Sequence, residues 1–183
     1  MGCGSGSVTR LLAEFTGNPS NIVGIDLSEY RIQSAMKFTQ SIKFLKGDIV
    51  TDCEFCNQFE LITAFDIFMH LDTEEIINKA LHNVNRSLKS NGFFVWFDAY
   101  SKNHFDCPLD AECNGFSSYQ MDKLASDAGF KKVYEFSLYK NIFGKVHSLY
   151  LYNKLPYLLV KILEKIAPGH PGNIVKIYSK CIQ

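Results

Sequence analysis

The sequence predicts a single α/β domain over residues 1–183, a doubly wound and mostly parallel sheet with helices on both faces. Three observations predict it. Segments of helical period alternate with short strand-like segments from Gly2 to Asp98, and such alternation folds through right-handed crossovers into a parallel sheet. Phe93-Phe94-Val95-Trp96-Phe97 is an unbroken apolar run, the pattern of a strand buried on both faces. Gly2-Cys3-Gly4-Ser5-Gly6 runs directly into a helical pattern, and Asp26 ends the next strand. Glycines admit a ligand where a Cβ would collide, and an acid at that point accepts hydrogen bonds from a ribose diol. The combination is one way of holding a nucleoside cofactor.

The elements follow in order. Val8, Leu11, Leu12 and Phe15 mark a helix that Gly17-Asn18-Pro19 ends. Asn21–Ile25 is a short β-branched strand. Ser28 caps a helix with Ile32, Ala35 and Met36 on its inner face. Ile42–Leu45 and Phe59–Phe65 are strands. Asp72-Thr73-Glu74-Glu75 starts a longer helix, acids first, with Ile76, Ile77, Ala80, Leu81, Val84 and Leu88 inward. Ser90-Asn91-Gly92 turns the chain into Phe93–Phe97. Residues 100–115 are loop-like, Ser117–Ala128 a helix, Phe130–Phe136 a strand. Pro156 suits the first turn of a helix running to Ile166, Pro168–Gly172 breaks it, and Ile174–Tyr178 is the last strand.

Composition sets the outer limits. With 46% apolar residues in 183, the chain can bury a sizeable core. A formal net charge of zero disfavours electrostatic capture of nucleic acid. The charge is uneven, with nine lysines against Glu135 and Glu164 from Lys131 onward; a solvated lysine-rich surface accounts for it, ahead of an anionic substrate or a membrane surface. No apolar run reaches the ~18–20 residues of a membrane span, and the N-terminus carries no signal-peptide pattern. Six cysteines without such a signal read as reduced thiols of a cytoplasmic protein. Cys53 and Cys56 have zinc-like spacing, but no second pair follows in either CxxC or HxxxH form, so no metal is expected.

Taken in order and spacing, these landmarks resemble the class I S-adenosylmethionine-dependent methyltransferases. They are most similar to the small-molecule branch that includes ubiquinone-pathway O-methyltransferases (types 11 and 12). Gly2–Gly6 looks like that family's first motif, and Asp26-Leu27 like the ribose-binding acid and its apolar neighbour. Gly47-Asp48-Ile49 resembles the segment that meets the adenine. Phe59-Glu60-Leu61-Ile62 through His70-Leu71 resembles the family's fourth strand and its ending, and Leu88-Lys89-Ser90-Asn91-Gly92 stands at the "LKPGG" position. The resemblance covers residues 2–98 well and the remainder loosely. It implies a Rossmann-like sheet in two halves, residues 1–98 holding the cofactor and residues 99–183 facing the substrate. A helical insertion at about 144–171 would precede the last strand. It further implies S-adenosylmethionine as cofactor, contacted by Gly2, Cys3, Gly4, Gly6, Asp26, Leu27, Asp48, Ile49, Thr63 and Ala64. Ser7 stands where a nicotinamide-binding fingerprint has its third glycine, against a dehydrogenase.

The resemblance implies methyl transfer to a small molecule, with a hydroxyl oxygen as acceptor. Thr63-Ala64-Phe65-Asp66 lacks the Asn/Asp-Pro-Pro-aromatic sequence of amino-methylating nucleic-acid enzymes, so no nucleic-acid partner is expected. His70 follows the strand whose C-terminal edge faces substrate and is the candidate general base; its competing role is to cap the helix that Asp72 starts. Asp98, Tyr100 and His104 are further residues at that edge. In the insertion, Leu155, Tyr157–Val160, Ile162, Leu163 and Ile166 either line an apolar pocket or pack on the sheet. The family's first strand would lie before Met1, so the sheet is expected to be N-terminally truncated, with two edges unpaired. Three functions stay open: an O-methyltransferase, a non-catalytic or defective domain that uses the fold to bind cofactor or partner, and a methyltransferase for nitrogen or protein acceptors. Oligomeric state is not legible.

Overall fold

A computed structural model describes residues 1–51, 55–99, 118–137, 140–141, 156, 158–159, 162 and 170–181. The first helix, α1 (Ser7–Thr16), starts at Gly6 and stops at Gly17, both in the left-handed region; a glycine there ends a helix without a Cβ penalty. Its apolar stripe is not its buried face. Val8, Leu11 and Phe15 stay exposed, while the small Thr9 and Ala13 face inward and let α1 lie close to Phe44 and Ala35. Strand β1 (Val23–Asp26), helix α2 (Glu29–Phe38) and strand β2 (Lys43–Lys46) form a parallel crossover. Ser28 caps α2 by accepting from the Arg31 N–H. Ile32 and Ala35 are buried, but Met36, expected inward, is exposed, because a two-stranded sheet covers only a narrow stripe of α2.

A second parallel pair is made by β3 (Phe59–Phe65), α3 (Glu74–Ser87) and β4 (Leu88–Ala99). Thr73 caps α3, accepting from the Ile76 N–H at 3.2 Å. The expected turn at Ser90-Asn91-Gly92 is instead an irregularity inside β4: Phe59 faces Leu88, yet Leu61 faces Phe93. A Cβ on Gly92 would stand 3.0 Å from the Phe59 carbonyl oxygen, so only glycine fits this close approach. The apolar run is not buried on both faces. Phe94 and Trp96 are fully enclosed beneath α3 and α4 (Ser118–Asp127), whereas Phe93 on the other face is 43% exposed. The last strand, β8 (Asn173–Lys180), inserts antiparallel between β4 and β5 (Phe130–Phe136), giving the order β3-β4-β8-β5. Two-residue strands β6 (Lys140–Asn141) and β7 (His170–Pro171) pair separately.

Between the two sheets lies a gap that the first three residues cross. The Met1 amine donates to the Thr63 carbonyl at 2.7 Å and the Cys3 N–H to the Ile25 carbonyl at 2.8 Å. Both strand edges thus have a backbone partner at the point where the glycine loop begins. Of the insertion expected at 144–171, Leu158, Leu159 and Ile162 are exposed, and most of the rest lies outside the described residues, as do Tyr100 and His104.

Among the described residues, two charged side chains are wholly enclosed in the core, Lys176 and Asp98. Lys176 Nζ meets Asp122 at 2.6 Å and Glu135 at 3.3 Å, and Asp122 also accepts from Tyr178 Oη at 3.0 Å and Lys132 Nζ at 2.6 Å. Burial alone would raise the Asp122 carboxyl, but the Lys132 and Lys176 ammoniums outweigh it and hold the group below its ordinary value. Asp98 goes the other way. Burial, reinforced by the Asp66 carboxylate, pushes it well above that value, against the hydrogen bond donated by Trp96 Nε1 at 2.5 Å.

These two acids give opposite pH signatures. Asp122→Ala should destabilise the fold by about 3 kcal/mol, the low end for breaking a buried pair because Glu135 remains beside Lys176. Since the folded carboxyl is depressed, its contribution is present above the ordinary value near ~3.9 and fades as pH falls through the folded value. Denaturant titrations should therefore show the gap between the two proteins closing in acid. For Asp98 the folded state keeps its proton longer, so its contribution is complete below ~3.9 and shrinks as pH rises toward the folded value. Asp98→Asn cannot ionise. Its stability relative to the unsubstituted chain should rise over that interval, and a pH-independent difference would contradict the assignment.

Candidate functional site

Asp26 organises the site. It ends β1 with only 6% of its surface exposed, and both carboxylate oxygens are engaged. Oδ2 accepts from the Gly4 N–H at 2.8 Å and Oδ1 from the Ser28 N–H at 2.9 Å, joining the glycine loop to the start of α2. The Asp26 carbonyl accepts from Gly47 N–H at 3.0 Å, which draws in the segment after β2. The acid thus fixes the residue that caps α2 and also lines the cavity.

The glycine loop has the conformation its composition requires. Gly2, Gly4 and Gly6 all have positive φ, at 58°, 54° and 83°, where L side chains are strained. A Cβ on Gly2 would stand 2.3 Å from Ile67 Cδ1, whereas a Cβ on Gly4 would meet nothing within 4 Å. The loop is tight on its protein side and open at Gly4, as a cradle for a ligand must be. Burial, then the Asp26 carboxylate, raises the Cys3 thiol to about 11, so this cysteine is a neutral packing group.

The loop opens on a cavity of about 520 Å³, within the size range of small-molecule sites. Part of its wall is Gly2, Asp26, Leu27, Ser28, Arg31, Gly47, Asp48 and Ile49. Asp48 closes its own turn: Oδ1 accepts from Val50 N–H at 2.8 Å and Oδ2 from Thr51 Oγ1 at 3.2 Å. Asn83 of α3 fixes that turn by donating to the Ile49 and Val50 carbonyls at 3.0 and 2.9 Å. The rest of the wall is Asp66, Ile67, His70 and Leu71.

These last four follow β3. Asp66 turns out of the strand with φ 53°, its N–H bonded to the Phe97 carbonyl at 2.8 Å, and a 3-10 turn (Phe68–His70) then carries the imidazole to the cavity. Phe68 and Met69 are buried beneath it. His70 does not cap α3, a task that Thr73 performs. Partial burial raises the Asp66 carboxyl, an effect the neighbouring His70 charge opposes.

Of the residues singled out in the sequence, Gly2, Asp26, Leu27, Asp48, Ile49 and His70 wall the cavity. Gly4 and Gly6 shape the loop behind it, and Cys3 packs behind it with the α1–α2 cluster. Thr63 and Ala64 are not in the wall: Ala64 points with Trp96 into the core, and Thr63 meets Met1 through its carbonyl. Arg31, Asp66, Ile67 and Leu71 were not anticipated. The signal for Asp66 was available, an acid one residue beyond an apolar strand at the edge where ligands gather. Cys53, Cys107 and Cys113 lie outside the described residues, and among those described no cluster of His, Cys, Asp or Glu could hold a metal.

With the geometry in hand, comparison with known proteins is consistent. Residues 1–92, half of the chain, match the family model described as a methyltransferase domain. A sterol 24-C-methyltransferase of Pneumocystis carinii is 28% identical over 112 residues, 58% of this chain and 28% of that enzyme. The mRNA cap guanine-N(7) methyltransferase of Saccharomyces cerevisiae is 27% identical over 176 residues, 82% of this chain and 38% of that one. The chain thus spans less than a third of the length of the sterol methyltransferase. Among solved structures, an S-adenosylmethionine-dependent methyltransferase from Methanosarcina mazei superimposes with a TM-score of 0.71 at 14% identity, over 100% of this chain and 91% of that one. At that identity the likeness shows the fold, and the family match adds the lineage: the chain belongs to the class I S-adenosylmethionine-dependent methyltransferases.

Proposed function

We propose that this chain transfers a methyl group from S-adenosylmethionine to a hydroxyl oxygen of a small molecule, with His70 as the general base. One observation carries the reading: Asp26, Asp48 and His70 line a single cavity. The residues present fit the cofactor. Gly4 leaves open space beside a carboxylate-bearing strand end, Asp26 and Asp48 face a cavity of sufficient volume, and Leu27 and Ile49 offer apolar surface to a base. Gly2, Gly4, Asp26, Leu27, Asp48 and Ile49 are the residues that would hold it. Bound there, S-adenosylmethionine supplies a methyl group made electrophilic by its sulfonium.

What remains for the protein is to align an acceptor and move a proton. Alignment alone accounts for a large share of such a barrier. His70, on a turn whose two preceding side chains are locked in the core, would accept the acceptor's proton at an imidazole nitrogen; Asp66 beside it would stabilise the imidazolium that results. An aliphatic hydroxyl needs this help more than a phenol, whose own pKa near ~10 leaves a modest ionised fraction.

A second reading has its own support. The relatives are named for carbon and nitrogen acceptors, and the Asp66 carboxylate, exposed at the mouth, would attract a cationic amine as readily as it would an imidazolium. A hydroxyl and a protonated amine must both lose a proton before they attack, so the identity of the methylated product from phenols and amines, and not base dependence, separates the two.

Two measurements test the main reading. Asp26→Ala should weaken S-adenosylhomocysteine binding by about 1.5–3 kcal/mol, the scale of charge-assisted hydrogen bonds; unchanged affinity by calorimetry would take Asp26 out of the ligand site. His70→Ala should lower turnover on a hydroxyl acceptor by roughly 10²–10⁴ with cofactor affinity retained, and raising the pH should restore part of the rate if the acceptor is phenolic. Full activity at neutral pH would leave alignment as the sole contribution.

A further inference from the structure

Three aspartates line the cavity, and two of them are already engaged by the protein. Both oxygens of Asp26 accept from backbone N–H groups, and both oxygens of Asp48 accept within its own turn. Asp66 differs. Among the described residues, neither of its oxygens accepts a hydrogen bond. Arg31 lines the same cavity but forms no ion pair with it among those residues. Its charged neighbour is His70, and partial burial raises its carboxyl, as for a charge short of donors.

The backbone holds this acid in place without using its side chain. Asp66 has φ 53°, and its N–H is bonded to the Phe97 carbonyl at 2.8 Å. Aspartate and asparagine enter the left-handed region more readily than most side chains, helped by local hydrogen bonds of their short polar groups. No such bond forms here, so asparagine or glycine would serve the backbone as well. What aspartate adds is a negative charge at the end of β3, in the cavity wall. There the three aspartates outnumber the single arginine, and a cleft lined by one sign of charge concentrates ions of the other.

The two forms of the cofactor differ in charge. S-adenosylmethionine carries a sulfonium and S-adenosylhomocysteine a neutral thioether. When the methyl group leaves, the bonding electron pair stays on sulfur, and the net charge falls by one. We propose that Asp66 is a specificity-determining residue: its unpartnered carboxylate adds a preference for the sulfonium ligand over the neutral thioether, so that loss of the methyl group loosens the hold on the product. The proposal rests on the reading that this cavity holds the cofactor.

Calorimetry on the full chain with each ligand, without an acceptor, tests it. Asp66→Asn should weaken S-adenosylmethionine by about fivefold, the upper range for an ion pair in contact with water. S-adenosylhomocysteine affinity should stay as it was. Added salt should erode the preference in the unsubstituted chain and have little left to erode in Asp66→Asn. An equal loss for both ligands would put Asp66 against the α-ammonium group that both carry and overturn the proposal. An unchanged ratio with no loss would overturn it too. If Asp66→Asn does not fold, Asp66→Gly, which suits the left-handed φ, is read by the same criteria. Asp26→Ala separates this proposal from the reading beneath it, because it should weaken both ligands together. If it weakens neither, the cofactor is not held here and the proposal falls with that placement. If it weakens both while Asp66→Asn leaves their ratio unchanged, the proposal alone is overturned.

Discussion

The site depends on one carboxylate. Asp26 holds the glycine loop through the Gly4 N–H, the start of α2 through the Ser28 N–H, and the segment after β2 through its own carbonyl and Gly47. Three chain segments that share no regular pairing thereby converge on one strand end. Charge-assisted hydrogen bonds to backbone N–H groups are among the stronger polar contacts a fold can make, and here both oxygens are used without any side-chain partner. The geometry also leaves each oxygen with lone-pair capacity, so the acid can organise the loop and still accept from a ligand.

That convergence matters because the sheet around it is divided. β1 and β2 form one pair and β3, β4, β8 and β5 another sheet, each with its own apolar cluster. Between them the described backbone contacts run through Met1 and Cys3. The cavity has walls from both sheets, Asp26 and Asp48 from one side and Asp66 to Leu71 from the other. Any ligand that contacts both walls would add a bridge between them, and binding to the folded state alone stabilises it by mass action.

Much of this was legible in the sequence, for physical reasons that differ by element. The end of Phe59–Phe65 and the helices around Ile77–Leu81 and Met121–Ala125 were legible because burial on one face leaves a clear period. The glycine loop and Asp26 were legible because backbone strain and ligand chemistry restrict the residue types allowed. What failed were the inferences from apolar content to burial. Val8, Leu11, Phe15 and Met36 are apolar and exposed, while Thr9, Lys176 and Asp98 are polar and buried. Composition along a helix says that one face is apolar, but which face the fold covers is a tertiary fact. The Ser90–Gly92 irregularity was hidden for a similar reason: turn-forming residues and a strand bulge use the same amino acids.

The acids around the cavity form a graded series. Asp26 and Asp48 have oxygens occupied by N–H and hydroxyl donors, which fix both carboxylates in place. Asp66 is exposed, close to His70, and raised by partial burial. Asp98 is enclosed and raised further, with Asp66 among the causes. Two neighbouring carboxyls at adjacent strand ends resist carrying charge together, so the pair favours one proton held inside, on Asp98, and one charge held outside, on Asp66. The charge then stands beside His70, and the acid that resists ionising most is the enclosed one, where an uncompensated charge would be most costly. The burial gradient from Asp66 to Asp98 thus sets which of these two acids resists ionising more strongly beside the cavity.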